Sequence, residues 1–137
     1  MNKLKGVVMT DSIRVTAAVI EQAGKIFIAR RKSGHHRSCW EFPGGKLKCD
    51  ETPEACLQRE LCEELEITAE VGEFLTESIY DQGDKIIQLL AYRVPAFHGT
   101  MVLHDHDLCA WVYPWELRSY TFSPADIPII EHILAKE

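Results

Sequence analysis

An α/β fold, with a mixed sheet packed between helices, is what this chain predicts. Two pairs of β-rich runs, each pair joined by turn residues, supply the sheet, and two amphipathic segments, one central and one C-terminal, supply its helical cover. The 137 residues fit a single domain over 1–137 with a real core, and the first dozen are expected to be flexible.

Residues 14–20 and 25–29 are β-rich, and Gln22-Ala23-Gly24 between them reads as a hairpin turn. Residues 30–39 form a polar, positively charged loop. Thr52 is a good N-cap and Pro53 a good first helical residue, so a helix starts there and runs to about Glu64. Val71 to Tyr80 and Lys85 to Val94 read as strands joined by Asp81-Gln82-Gly83-Asp84. His104-Asp105-His106-Asp107 is a polar loop before a strand, Leu108 to Val112. Pro114-Trp115-Glu116-Leu117 suggests a short helix, and Ile127 to Lys136 an amphipathic one with Ile129, Ile130, Ile133 and Leu134 inward.

Composition narrows the function. A formal charge of −6 argues against a general nucleic-acid surface, so no nucleic-acid polymer is expected as a partner. An acidic protein acting on an anionic nucleotide needs cations and a few local basic groups. The five cysteines (39, 49, 56, 62 and 109) are odd in number and lack a Cys-x-x-Cys pair. Reduced thiols in a cytoplasmic protein are expected, without a disulfide framework or structural zinc. Residues 6–9 are too short a run for a signal-peptide core, and no run approaches transmembrane length, so no membrane partner is expected.

The central helix carries the chemistry. Glu60, Glu63 and Glu64 fall within an arc of about 100° at roughly 100° per residue, beside an apolar stripe of Leu57, Leu61 and Leu65. Carboxylates so close raise one another's pKa, a cost usually tolerated where cations neutralise them. Hard oxygen ligands select Mg2+, or Mn2+ in its place, and Mg2+ favours a phosphate partner.

The spacing Gly45, five residues, Glu51, seven residues, Arg59-Glu60-Leu61, one residue, Glu63-Glu64 resembles the signature of the Nudix hydrolases. These enzymes cleave nucleoside diphosphates linked to another group. The preceding Trp40-Glu41-Phe42-Pro43-Gly44-Gly45-Lys46 also matches, whereas a merely solvated acidic helix would leave it unexplained. One position departs: Glu66 stands where the family has glycine, and a non-glycine at a left-handed helix stop costs about 1 kcal/mol. The resemblance implies an α/β/α sandwich. It implies that Glu60, Glu63, Glu64 and the Gly44 carbonyl bind metal, that Arg59 orients a signature carboxylate, and that Glu51 braces the loop or the outer metal shell. Glu63, or Asp105 from the later loop, would take the proton; Asp105 also reads as an ordinary turn aspartate. The two nearby histidines read as solvated. Lys46 beside the glycines is not a P-loop.

The likeness extends to the MutT-type nucleoside triphosphate pyrophosphohydrolases. Ile28-Ala29-Arg30-Arg31, with His36 five residues on, resembles their phosphate-contacting arm, so Arg31 and His36 are candidates for the α-phosphate. Phe42, in the matching run, is a further substrate-contact candidate. Phe122-Ser123-Pro124-Ala125-Asp126-Ile127-Pro128 resembles the base-reading segment, with Asp126 where the guanine reader has asparagine. An ionised carboxylate only accepts hydrogen bonds, which favours a donor-rich edge such as the cytosine amino group. The wording also resembles the cytidine triphosphate branch; Asp126 reads equally as a cap of the last helix. Neither the proline of ADP-ribose pyrophosphatases nor the Ser-Gln-Pro-Trp array of the NADH type is present. The expectation is an Mg2+-dependent cytoplasmic hydrolase of (d)NTPs, monomer or homodimer, that releases pyrophosphate from a cytidine triphosphate. The alternatives are 8-oxo-dGTP hydrolysis and a catalytically weak nucleotide-binding sensor.

Overall fold

In the computed structural model, described over residues 11–136, β1 (Asp11–Gln22) and β2 (Lys25–Arg31) form the expected hairpin and run past their expected ends. For residues 1–10 the expected flexibility lies outside the described residues; Asp11 and Ser12 open β1 and align with Lys85 and Ile86. Ala23 and Gly24 both take positive φ, 53° and 78°, the two-residue turn whose twist matches paired strands.

Direct pairing of β1 with β2 is confined to Glu21↔Ile26 and Gln22↔Lys25. Beyond these pairs the strands splay, and residues 40–47 enter the gap. β3 (Trp40–Glu41) pairs with β2, while the carbonyls of Pro43 and Gly45 accept from the Ala18 and Thr16 amides of β1 at 2.7 and 2.8 Å. Gly44 is required by space, and Gly45 leaves room for the Glu60 carboxylate. A Cβ on Gly44 would stand 1.9 Å from the Thr16 carbonyl oxygen, and one on Gly45 2.1 Å from the Glu60 carboxyl carbon.

The chain continues through α1 (Pro53–Leu65), β4 (Thr68–Glu70), β5 (Phe74–Asp81), β6 (Lys85–Val94), β7 (Ala96–His98), β8 (His106–Val112) and α2 (Ile127–Ala135). The main sheet runs β3-β2-β1-β6-β5, with β8 also against β2, and β4 pairs separately with β7. β1 and β6 are parallel and the other pairs antiparallel, so the sheet is mixed as expected. Residues 71–73 are not strand, and β3, β4 and β7 are two or three residues long, too short for alternation to reveal. Two further expectations need correction. Arg30 and Arg31 belong to β2 rather than the loop, and His106 and Asp107 belong to β8. The expected short helix is a 3-10 turn, Pro114–Ser119.

Both faces of the sheet are covered, which is why β1 reads as a nearly unbroken apolar run. Ala18 and Ile20 face Leu57, Leu61 and Leu65 of α1; Ala17 and Val19 face Ile129 and Ile130 of α2. Thr52 caps α1 by accepting from the Ala55 amide at 3.1 Å. Glu66 ends the helix in the left-handed region, φ 58°, and its amide donates to the Cys62 carbonyl. The glycine conformation is thus kept without the glycine.

Candidate active site

A cleft of about 450 Å³ opens where β1 and β2 splay. Of the residues singled out from sequence, Arg31, His36, Phe42, Gly44, Glu64, Asp105 and Asp126 line it; Glu51, Arg59, Glu60 and Glu63 do not.

Those four form a compensated cluster beside it. Arg59 grips Glu51 with two parallel bonds, Nε to Oε2 at 2.7 Å and Nη2 to Oε1 at 3.0 Å. Its Nη1 reaches Glu60 at 2.9 Å and Glu63 at 3.2 Å, and Nη2 also donates to the Lys46 carbonyl at 3.1 Å. Glu51 in turn accepts from the Lys48 amide at 2.9 Å, so helix and glycine loop are tied through one guanidinium. Arg59 first, then that amide, holds the Glu51 carboxyl down to about 2. The Glu63 side chain is 56% exposed.

Glu64 has the opposite environment. Its Oε1 is shut off from solvent without a hydrogen-bond partner. Burial first, then the charges of Glu60, Glu41 and Asp105, push its carboxyl up to about 9. Successive carbonyls of an extended run point to opposite sides, so with Pro43 and Gly45 bonded to β1 the Gly44 carbonyl faces away from it. Among the described residues, no three acidic, histidine or cysteine side chains converge to cage an ion by themselves. A cation held by Glu64, its acidic neighbours and the Gly44 carbonyl would complete its shell with water and phosphate. That donor set suits Mg2+.

The cleft floor is a hydrogen-bonded chain, Arg31–Glu41–His106, of which only Arg31 was singled out from the sequence. Glu41 of β3 accepts from Arg31 Nη1 at 3.0 Å and from His106 Nε2 at 2.8 Å. Glu41 was legible only as part of the matching run. His106, expected to be solvated, has a side chain 1% exposed, and its partner lies 65 residues away, so no local pattern marks it. His104 points the other way, to Glu66, and the two histidines do not form a metal pair. His36 adopts φ 60°, and burial, then His35 and Arg31, lower its pKa. It offers the cleft a neutral imidazole. The Phe42 ring packs on Phe122 at 5.3 Å in the core; the backbone amide of Phe42 bonds the Asp126 carboxyl.

Asp126 corrects the sequence reading twice. It sits at the start of α2 but makes no side-chain capping bond. It is 4% exposed, and burial, then the Glu41 charge, raise its pKa well above the usual range. Desolvation beside another acid favours the protonated carboxyl, which can donate as well as accept, over the acceptor-only carboxylate expected from the sequence.

Comparison with known proteins agrees with this geometry. The NUDIX domain model matches residues 11–133. The chain is 44% identical over 124 residues to a CTP pyrophosphohydrolase of Escherichia coli, covering 90% of this chain and 92% of that protein. It is 33% identical to an 8-oxo-dGTP diphosphatase of Haemophilus influenzae, with 89% and 91% covered. The solution structure of the E. coli ORF135 protein superposes with a TM-score of 0.85 at 42% identity, covering 92% of this chain and 91% of that one. A glycine wedge between splayed strands, an acid-faced helix and a family match over both place this chain in the Nudix family.

Proposed function

We propose that this chain is a single-domain, Mg2+-dependent pyrophosphohydrolase. It cleaves a (d)NTP between the α- and β-phosphates, yielding a (d)NMP and pyrophosphate, with a cytidine triphosphate as preferred substrate. The observation that carries the reaction class is geometric: Glu64, its buried Oε1 without a partner, lines one cleft with Asp105, Arg31 and the Gly44-Gly45 loop, beside the acid face of α1. Glu64, Glu60, Glu63 and the Gly44 carbonyl are the residues that would hold Mg2+, with Arg59 and Glu51 fixing the loop on which that carbonyl sits. Bound Mg2+ polarises phosphate oxygens and acidifies an attacking water.

The chain's own groups then have separable roles. Arg31 and the neutral His36 meet the α-phosphate. Water attacks phosphorus as the bridging P–O bond breaks, and Asp105 or Glu63 takes the water proton. In the protonated form that its burial favours, the Asp126 carboxyl meets the base: its O–H donates to a ring nitrogen while its carbonyl accepts from an adjacent amino group. The N3/N4 edge of cytosine offers that pairing. The name of the E. coli relative supports the same base. The second reading, 8-oxo-dGTP, rests on the H. influenzae relative and on the fact that a neutral carboxyl also fits a mixed edge. The sensor reading loses its support, since Glu66 keeps the helix stop intact.

All five cysteines are free thiols, and among the described residues no helix is long and apolar enough to cross a membrane. We place the enzyme in the cytoplasm as a monomer or homodimer. A panel of nucleoside triphosphates with chromatographic product analysis tests the proposal. Cytidine triphosphate should give monophosphate and pyrophosphate only with Mg2+ or Mn2+; orthophosphate as first product, or full turnover in chelator, contradicts it.

A further inference from the structure

Asp105 belongs to a short segment in which each neighbour is tied to a different element. His104 Nε2 donates to Glu66 Oε2 at 2.6 Å, across to the C-terminal stop of α1. His106 Nε2 donates to Glu41 Oε2 at 2.8 Å, down to the cleft floor. Asp105 stands between them and lines the cleft together with Glu64, its backbone carbonyl near the Lys32 amide at 3.5 Å. The segment before it is seated on the same helix end, for the Val102 amide donates to the Leu65 carbonyl at 3.0 Å. After it, Asp107 takes two bonds from Arg30 at 2.9 and 2.8 Å.

We propose that His104 with Glu66 and His106 with Glu41 form a two-point clamp that positions Asp105 opposite Glu64 for the hydrolytic step. The inference rests on the reading of Asp105 as proton acceptor. It also explains what Glu66, the residue that departs from the family pattern, contributes, because its side chain reaches the loop where a glycine could not. The two anchors differ in kind. The His104 pair is about half exposed, 48% and 52%, and contributes little to global stability, whereas the His106 side chain is 1% exposed. The clamp's consequence is therefore geometric. Misplacing a reacting group by about 1 Å can cost up to 100-fold in rate.

The test is steady-state kinetics on cytidine triphosphate with saturating Mg2+, for His104→Ala, His106→Ala and the double variant, in wild type and in an Asp105→Asn background. Each single variant should lower kcat roughly three- to tenfold with KM changed less than about twofold. In the Asp105→Asn background the same changes should alter kcat less than about twofold, because they act through Asp105. His106→Gln, which keeps a donor toward Glu41, should recover most of the loss and guards against a folding defect, which thermal denaturation reads separately. Equal losses in both backgrounds, or a rise in KM at unchanged kcat, would overturn the clamp. If Asp105→Asn loses activity while both histidine variants turn over normally, the clamp alone fails. If Asp105→Asn keeps wild-type kcat, the proton-acceptor reading fails as well.

Discussion

Glu60 and Glu64 are one helical turn apart, yet they belong to clusters with opposite electrostatics. Around Arg59, three carboxylates share one guanidinium, and Glu51 is held near 2. In the cleft, Glu64 and Asp126 are desolvated among other acids, and both are pushed toward their neutral forms. Residue type does not separate the clusters; burial and the nearest cation do. The compensated cluster holds the loop in place. The uncompensated one favours protonated carboxyls and gains most from a divalent ion shared with Glu60 and Glu63.

The sharpest way to break this comparison is to neutralise one acid from each side. Glu64→Gln should lower kcat by about 10²–10³-fold, as removal of a group that stabilises transition-state charge does. Glu63→Gln, on the exposed edge of the Arg59 cluster, should cost roughly tenfold less than that. Equal losses would mean that Glu63 serves the ion as fully as Glu64 does, and the two clusters would then act as one.

Asp126 tests the neutral side of the comparison. Because an amide copies the donor and acceptor of a neutral carboxyl, Asp126→Asn should keep kcat/KM on cytidine triphosphate within roughly fivefold. Asp126→Leu should lose one to two decades, about 1–3 kcal/mol of pairing. A loss of that size from Asp126→Asn would show that the carboxyl ionises when substrate binds.

Acid denaturation tests the other side. The folded Glu51 carboxyl lies near 2, below its ordinary 4.5, so its contribution is complete above 4.5 and fades as pH falls through about 2. Glu51→Gln should flatten the slope of stability against pH in that window. An unchanged slope would show that the Arg59 pairing does not set acid stability.

The smallest effect belongs to Glu66. Glu66→Gly relieves a left-handed backbone worth up to about 1 kcal/mol but gives up an exposed pair and adds unfolded-state freedom. The melting midpoint should move little; a large fall would show that the His104 contact anchors the fold itself.

Of the Arg59 cluster, helical period brought Glu60 and Glu63 onto one face but set Glu64 beside them, and the roles of Arg59 and Glu51 came from the Nudix resemblance rather than from spacing. The α/β class and both main helices were legible from period and capping in the same local way. The cleft floor was not. Glu41 and His106 meet only because β3 and β8 lie against the same strand, and no spacing encodes that. Charge state was equally hidden: Asp126 reads as an ordinary ionised aspartate until burial beside Glu41 is known.

The central claim is that the cleft acids keep a proton until a cation arrives. With its carboxyl pushed up to about 9, Glu64 holds a proton at neutral pH that it lacks in the unfolded chain, so its contribution to stability falls as pH rises from 4.5 toward 9. Titration calorimetry of Mg2+ binding near pH 7, in buffers of different ionisation enthalpy, reads the same proton directly. The expected result is release of roughly one proton per bound ion, abolished by Glu64→Gln. Mg2+ binding with no proton released from the wild-type protein would contradict it.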